Sequence, residues 1–238
     1  MNKGAQTVDI RTVAFDADDT LWHNERVFAL SQARFAELLG DYADPAHLDA
    51  RLLAAERRNL GHYGFGIKGF VLSMIETALD VTDNRVPGAV IHQLVEMGRE
   101  MLSHPTELLP HVAETVSALA GTCHLAVITK GDLLDQERKL AQSGLGDVFD
   151  RVEIVSDKTP DVYARIFAGC PGGAGAAVMV GNSVKSDVLP ALAAGAWSVH
   201  IPHDLQWDLE KAELPLAHPR FRTVAHMGQL PDLLRQMV

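Results

Sequence analysis

Apolar residues along the chain follow two different periodicities, and the change from one to the other divides the sequence. Residues 10–15 form a short apolar run that ends at an acidic cluster, which predicts a buried parallel strand. Residues 22–104 instead carry apolar side chains at helical spacing, with few β-branched runs. This region predicts four helices, whose apolar positions lie within 28–39, 48–60, 70–79 and 90–97. Pro87 fits near the start of the fourth helix, where its missing N–H costs little.

After Pro105 the pattern alternates between strands and helices. Strands are predicted at 124–128, 151–155, 177–180 and 197–201, and helices at 110–119, 133–142, 160–168 and 186–194. This alternation is typical of right-handed βαβ crossovers and predicts a parallel sheet with helices on both faces. The predicted fold class is therefore α/β, a doubly wound parallel sheet with an inserted helical domain. Residues 203–218 have too little periodicity to place.

Composition narrows the classes of partner and location that we expect. The 238 residues include 31 Asp and Glu against 21 Lys and Arg, which gives a formal charge of −10. This balance argues against nucleic acid or a membrane surface as a partner. No apolar run approaches the roughly 20 residues that cross a bilayer, and the first residues lack the apolar segment of a secretory signal. The two cysteines make no disulfide framework, so we expect a reducing, cytoplasmic location.

The residues that follow the predicted strands carry the candidate chemistry. They are Asp16 and Asp18 after the first strand, Thr129, Lys130 and Gly131 after the second, Lys158 after the third, and Asn182 and Asp187 after the fourth. Strand ends of a doubly wound sheet converge on one ligand site, so we expect these side chains to lie close together. Crowded carboxylates repel one another unless a cation lies among them. Without a Cys or His cluster, the oxygen-rich set favours Mg²⁺ as that cation.

Such a set of side chains suits phosphoryl chemistry. One carboxylate beside Mg²⁺ can attack phosphorus and form an aspartyl-phosphate, which divides one difficult step into two. A second carboxylate can protonate the leaving oxygen and then activate water. A hydroxyl, loop N–H groups and a lysine can hold the phosphoryl oxygens as their charge changes.

The same residues resemble the four motifs of phosphohydrolases of the haloacid dehalogenase (HAD) superfamily, in the order typical of that family. The matching segments are Phe15-Asp16-Ala17-Asp18-Asp19-Thr20-Leu21, Thr129 after an apolar strand, Lys158 before Thr159-Pro160, and Gly181-Asn182-Ser183 with Ser186-Asp187. The helical block resembles the small helical cap, of the C1 type, that this superfamily inserts after its first motif. The resemblance implies a Rossmann-like core of residues 1–21 and 105–238, with a cap of residues 22–104.

The resemblance also implies a role for each residue of the first three motifs. Asp16 would be the nucleophile and a magnesium ligand. Asp18 would be the general acid and base, with its backbone carbonyl on the metal. Thr129 and Lys158 would bind the phosphoryl group.

The fourth motif departs from the family pattern. Asn182 stands where an acidic residue is more common, so one negative charge is lost, although an amide oxygen can still bind Mg²⁺. Asp187 would complete or support the metal site. Which of Asn182 and Asp187 binds the metal directly stays open.

The sequence thus predicts a Mg²⁺-dependent phosphatase that acts on a small phosphorylated metabolite through an aspartyl-phosphate on Asp16. The dehalogenase branch of the family lacks a carboxylic acid at the position of Asp18, because a halide leaving group needs no proton. A phosphomutase would use the same residues. A receiver domain that acts as a phosphorylated switch and a phosphate-binding scaffold without turnover are alternatives from other classes.

Substrate selectivity is expected to depend on the inserted helical region. Residues 62–68 lie between two predicted helices and contain two glycines, two aromatic residues and a lysine. We expect this segment to face the strand ends, with Tyr63 and Lys68 in contact with the substrate beside Lys130 and Gly131. A turn whose aromatic residues pack into the helical domain is the alternative.

Overall fold

The structure, a computed structural model, describes residues 9–237 in two compact units. The described residues of one unit lie within Met1–His23, Thr106–Thr129 and Leu140–Val238, and the other comprises Asn24–Pro105 and Lys130–Lys139. The division into a core and a cap with the boundaries given above stays a prediction. That Lys130–Lys139 groups with the helical unit is a feature for which the sequence pattern gave no signal.

A six-stranded sheet forms the centre of the first unit. Its strands are β1 (Thr12–Phe15), β2 (His124–Lys130), β3 (Arg151–Val155), β4 (Ala177–Gly181), β5 (Trp197–His200) and β6 (Phe221–Thr223). The strand order is β3-β2-β1-β4-β5-β6, and β1 pairs in parallel with both β2 and β4. The order reverses between β1 and β4, which is where a doubly wound sheet places its ligand site.

Nine α-helices are described within residues 9–237. They are α1 (Glu25–Leu38), α2 (Pro45–Tyr63), α3 (Ile67–Val81), α4 (Gly88–Ser103), α5 (Val112–Leu119), α6 (Leu133–Gln142), α7 (Pro160–Ala168), α8 (Leu189–Ala193) and α9 (Leu230–Met237). In the helical unit, α1 packs on α2 and α4, and α3 packs on the same two helices. Their facing side chains form one buried apolar cluster, which includes Phe35, Leu48, Met74 and Leu94.

Both faces of the sheet are covered, as the period-two alternation of strand side chains requires. Val13 and Phe15 of β1 belong to an apolar cluster that includes Val116 of α5 and Leu234 of α9. Ala14, which points to the opposite face, belongs to a second cluster with Phe167 of α7. Strand β1 is therefore packed on both faces, which fixes the point at which the residues of the first motif leave the sheet.

The predicted fold class is confirmed, because the chain forms a parallel α/β sheet flanked by helices. The strand predicted at 151–155 and the helices predicted at 133–142 and 160–168 match the observed bounds. The strand β6 and the helix α9 are additions that the sequence pattern did not indicate.

The helix predicted over 186–194 is wrong in its bounds. The chain instead forms a π-helical turn, Val184–Val188, followed by the short helix α8. Pro190 has no N–H, so the carbonyl of Ser186 cannot receive the usual helical bond from the residue four positions later. That carbonyl instead accepts a hydrogen bond from the Tyr163 hydroxyl at 3.0 Å.

None of the helices described between residues 9 and 237 has the length and hydrophobicity of a bilayer-spanning segment.

Candidate active site

The carboxyl ends of β1 and β4 lie side by side and bring the first and fourth motifs together. Phe15 pairs with Val180 across the two strands, and the N–H of Asp16 donates to the carbonyl of Val180 at 2.9 Å. Asp16 and Asn182 therefore leave adjacent strands at the same edge of the sheet. Thr129 is the second-to-last residue of the neighbouring strand β2 and is buried.

Lys158 links two of the predicted carboxylates. Its Nζ donates to Oδ1 of Asp16 and, at 2.7 Å, to Oδ1 of Asp187. The Lys158 side chain is only 1% exposed, and the Asp187 side chain is equally buried. One ammonium thus faces two buried carboxylates, and this group of three side chains carries a net negative charge.

Burial and the neighbouring charges shift the pKa values of Asp16 and Lys158. Burial, together with the charge of Asp187, raises the pKa of Asp16 to about 7, although Lys158 acts in the opposite direction. Burial alone would lower the pKa of Lys158, but the charges of Asp16 and Asp187 outweigh it and raise that pKa. The ammonium is therefore permanently charged, whereas it neutralises the Asp16 carboxylate only in part.

Thr20 joins the first motif to the fourth, and the sequence analysis gave this residue no separate role. Its hydroxyl lies 3.3 Å from Oδ2 of Asp16 and 3.2 Å from Oδ1 of Asn182. It also accepts the backbone N–H of Asn182 at 3.2 Å. One buried hydroxyl thus holds the carboxylate of Asp16 and the amide of Asn182 near each other.

Asp18 is half-buried, and the aromatic residue that directly follows the first motif orients it. The indole Nε1–H of Trp22 donates to Oδ1 of Asp18 at 2.8 Å. Trp22 is 1% exposed, so its N–H needs a partner inside the protein. Trp22 is a core residue, and it also fixes one oxygen of the predicted general acid and base.

The turn between Asp16 and Trp22 places Asp19 in an uncommon backbone conformation. Asp19 adopts a left-handed conformation with φ of 58°. Glycine takes this conformation most easily, and aspartate is among the residues that tolerate it. The Asp19 carboxylate lies 3.6 Å from Nε2 of His203.

Four of the residues predicted to bind substrate lie in the helical unit: Tyr63, Lys68, Lys130 and Gly131. Lys130 Nζ lies 3.7 Å from the centre of the Phe65 ring, and Lys68 Nζ lies 3.3 Å from Oδ1 of Asp132. The hydroxyl of Tyr63 donates to Oε1 of Glu76 at 3.4 Å. Segment 64–68 therefore contacts Lys130 and Asp132, which lie on either side of Gly131 in the chain. The substrate-binding roles of these residues stay predictions.

Gly181 is required by the close approach of Asp187. A Cβ atom at position 181 would lie 2.7 Å from the Cβ of Asp187, closer than such atoms approach in proteins. Asp187 cannot move aside freely, because its Oδ2 accepts the N–H of Ser183 at 2.9 Å and its Oδ1 accepts from Lys158.

We therefore expect Gly181→Ala to destabilise the protein by about 1–3 kcal/mol through overpacking, and to lower activity by displacing Asp187. Gly175→Ala is a matched control, because nothing lies within 4 Å of a Cβ at that position. Denaturant unfolding of both variants checks the prediction. Equal stability of Gly181→Ala and Gly175→Ala would show that the turn carrying Asp187 can move aside.

The oxygen donors at this edge of the sheet fit a magnesium ion. Within residues 9–237, no three His, Cys, Asp or Glu side chains are placed as a metal-binding group. The available donors are the carboxylates of Asp16 and Asp187, the amide of Asn182 and the backbone carbonyl of Asp18. Mg²⁺ is commonly bound by one or two carboxylates while it keeps several waters. The net negative charge around Lys158 provides the electrostatic attraction for such a cation.

Fold and site together define a class: a doubly wound α/β protein with paired aspartates and a buried lysine where the strand order reverses. Comparison with known proteins agrees with this class. The family model of the haloacid dehalogenase-like hydrolases matches residues 10–195. The chain therefore belongs to the haloacid dehalogenase-like hydrolases.

Solved structures of proteins from this superfamily also resemble the chain. A haloacid dehalogenase-like family hydrolase from Xanthomonas campestris is 41% identical, with a TM-score of 0.86, over 98% of this chain and 93% of that chain. A HAD hydrolase from Bacillus subtilis, solved with bound magnesium, is 17% identical, with a TM-score of 0.68, over 95% and 99%. The L-2-haloacid dehalogenase from Xanthobacter autotrophicus is 21% identical, with a TM-score of 0.67, over 96% and 100%. The last two show likeness of fold alone. No significant match was found among curated proteins.

Proposed function

We propose that this hydrolase is a Mg²⁺-dependent phosphatase that acts on a small phosphate monoester through an aspartyl-phosphate on Asp16. The observation that carries the proposal is Asp18, a half-buried carboxyl group two residues after the nucleophile and held by Trp22. A halide leaves carbon without a proton, whereas the oxygen that leaves a phosphate monoester needs one. A general acid at this position therefore favours phosphate esters over haloacids.

In the first half-reaction, a carboxylate oxygen of Asp16 attacks phosphorus. The bond from phosphorus to the substrate's bridging oxygen breaks, and Asp18 gives its proton to that oxygen, so that the alcohol leaves. Lys158 and Thr129 hold the phosphoryl oxygens as negative charge moves onto them. Lys158 suits this task because it is buried and permanently charged.

In the second half-reaction, Asp18 accepts a proton from water while the water oxygen attacks phosphorus. The bond from phosphorus to Asp16 breaks, inorganic phosphate leaves, and the Asp16 carboxylate is restored. Asp18 returns to its protonated state, ready for the next substrate. One residue can serve both half-reactions because the proton it gives in the first is replaced in the second.

Asp16, Asn182, Asp187 and the carbonyl of Asp18 would hold Mg²⁺. When bound, the ion supplies positive charge against which a carboxylate and a phosphate, both anionic, can approach each other. Thr20 would keep Asp16 and Asn182 at a constant separation through its two contacts. Lys130, Gly131, Tyr63 and Lys68 are proposed to contact the substrate's leaving group.

We expect a chelator to abolish turnover and added Mg²⁺ to restore it, because one lysine does not neutralise the carboxylates of the site. Ca²⁺ should substitute poorly, since its looser and higher coordination misplaces an attacking carboxylate. Phosphate release measured with excess chelator, then with each cation added back, checks this. Full activity in excess chelator would overturn the metal requirement.

The choice between phosphatase and dehalogenase is tested directly with two product assays. A panel of phosphorylated metabolites is screened for phosphate release, and 2-chloropropionate is screened for chloride release. We expect phosphate release from a subset of the panel and no chloride release. Chloride release that persists in chelator, with no phosphate release, would make the protein a dehalogenase instead.

A further inference from the structure

A segment that the sequence pattern could not place docks against the fourth motif. Within it, Asp208–Glu210 forms a short 3₁₀ turn, in which the N–H of Glu210 donates to the carbonyl of Trp207 at 2.9 Å. Leu209 is buried and Glu210 is half-buried, so the turn presents a carboxylate to the protein and not only to solvent.

The Glu210 carboxylate accepts hydrogen bonds from two hydroxyl groups, one on the residue that caps the π-helical turn and one within the turn. Its Oε2 accepts from Oγ of Ser183 at 2.6 Å and also from Oγ of Ser186. Between these serines, Lys185 Nζ donates to the carbonyl of Leu209 at 2.7 Å. Three side chains of the fourth motif thus converge on two consecutive residues of the docked segment.

Ser183 connects this carboxylate to the catalytic group. Its backbone N–H donates to Oδ2 of Asp187 at 2.9 Å, and its carbonyl accepts the N–H of Asp187 at the same distance. The other oxygen of Asp187 accepts from Lys158, which in turn donates to Asp16. A continuous series of hydrogen bonds therefore runs from Glu210 to the proposed nucleophile.

The π-helical turn is also held by a residue of α7. The hydroxyl of Tyr163, a fully buried residue of α7, donates to the carbonyl of Ser186. π-Helical turns are rare, and they occur frequently at functional sites. This turn depends on two tethers from distant parts of the chain, Tyr163 and Glu210.

We propose that Glu210 is a positioning residue that holds the π-helical turn, with Asp187 inside it and Asn182 just before it, in the arrangement that binds Mg²⁺. The inference rests on the proposed function, since it assigns the metal to this turn. Hydrogen bonds to a charged acceptor are shorter and stronger than those between neutral groups, so a carboxylate holds two hydroxyls more firmly than an amide would. Residues that orient metal ligands commonly change metal affinity when they are replaced.

The test compares Mg²⁺ affinity in the full chain and in three variants. Glu210→Ala removes the acceptor, and Glu210→Gln keeps its shape without the charge. Glu213→Gln is the matched control, because Glu213 is an exposed carboxylate on the same segment. Mg²⁺ binding is measured by calorimetry without substrate, and unfolding temperature and phosphate release are measured in parallel.

We expect Glu210→Ala to raise the Mg²⁺ dissociation constant about tenfold, the lower end of the range for residues that orient metal ligands. Glu210→Gln should fall between this variant and the unchanged protein, and Glu213→Gln should bind as the unchanged protein does. The Mg²⁺ concentration needed for half-maximal turnover should rise in parallel, while kcat at saturating Mg²⁺ stays close to its original value.

Ser183→Ala keeps the test valid if Glu210→Ala fails to fold, because it removes one hydroxyl and retains the backbone bond to Asp187. It should also weaken Mg²⁺ binding, and its effect should not add to that of Glu210→Gln, since both changes alter the same bond. A lower unfolding temperature with unchanged Mg²⁺ affinity would overturn the positioning role and leave the proposed function standing. Absence of Mg²⁺ binding by the unchanged protein would overturn both.

Discussion

Asp16→Asn is expected to reduce turnover by on the order of 10⁵-fold or more, the scale seen when an enzyme loses its covalent nucleophile. The amide nitrogen and oxygen of asparagine do not attack phosphorus under these conditions. The variant should still fold, because the amide oxygen can accept the hydrogen bond from Lys158 that Oδ1 accepts now. Phosphate release and acid-quenched mass spectrometry check the result, and only the unchanged protein should carry a phosphoryl group on Asp16.

The control for this prediction is Asp9→Asn, the same change at a side chain that is 71% exposed. It should retain the full rate. Retention of the full rate by Asp16→Asn, in a preparation shown to be free of other phosphatases, would refute the aspartyl-phosphate mechanism.

The stability of Asp16→Asn relative to the unchanged protein is expected to change with pH in a definite direction. The folded-state pKa of Asp16, about 7, lies above its ordinary value of 3.8, because burial disfavours the charged carboxylate. Such a group contributes stability below the ordinary pKa and loses that contribution as the pH rises through the folded pKa. Without Mg²⁺, Asp16→Asn should therefore gain stability relative to the unchanged protein as the pH rises from about 4 to about 7, and the difference should level off above that.

Lys158→Ala is expected to have the second largest effect. Removing one partner of a buried ion pair typically costs about 3–5 kcal/mol, because the remaining charges are left without compensation. Here Asp16 and Asp187 would both lose the ammonium that they share. Turnover should fall to near background as well, since the phosphoryl oxygens lose the same charge.

Denaturant unfolding and phosphate release check the Lys158 prediction. Lys211→Ala is the matched control, since the Lys211 side chain is 58% exposed and pairs only at the surface with Asp208. The loss in Lys158→Ala should be greater at high pH, where Asp16 is ionised, than at low pH, where it is protonated. A mild loss of activity would mean that another cation, Lys130 or Lys185, takes over its role.

Much of the fold follows from signals that are local in the sequence. The alternation of strand and helix patterns after Pro105 was sufficient to predict a parallel α/β sheet, because each element carries its own periodicity. The run from Asp16 to Thr20 and the segment from Gly181 to Asp187 are contiguous, so the sequence also indicated which strand ends carry chemistry. The strand β6 is only three residues long, too short to show a period.

The residues that contact the candidate site could not be predicted from local signals, because they come from distant parts of the chain. Glu210 lies 27 residues from Ser183 and 24 from Ser186, and Tyr163 lies 23 residues from Ser186. No periodicity or motif marks such pairs, since each bond exists only after separate elements have packed. Trp22 lies four residues from Asp18, yet its hydrogen bond also depends on how the turn folds.

The sequence by itself therefore determined the class of fold and the identity of the acidic, hydroxyl and lysine side chains at the strand ends. The tertiary structure alone decided that Lys158 bridges Asp16 and Asp187, that Thr20 joins Asp16 to Asn182, and that the turn of the fourth motif is π-helical. The physical reason is that periodicity reports which face of an element is buried, whereas hydrogen bonds and charge pairs depend on distances between elements that packing sets.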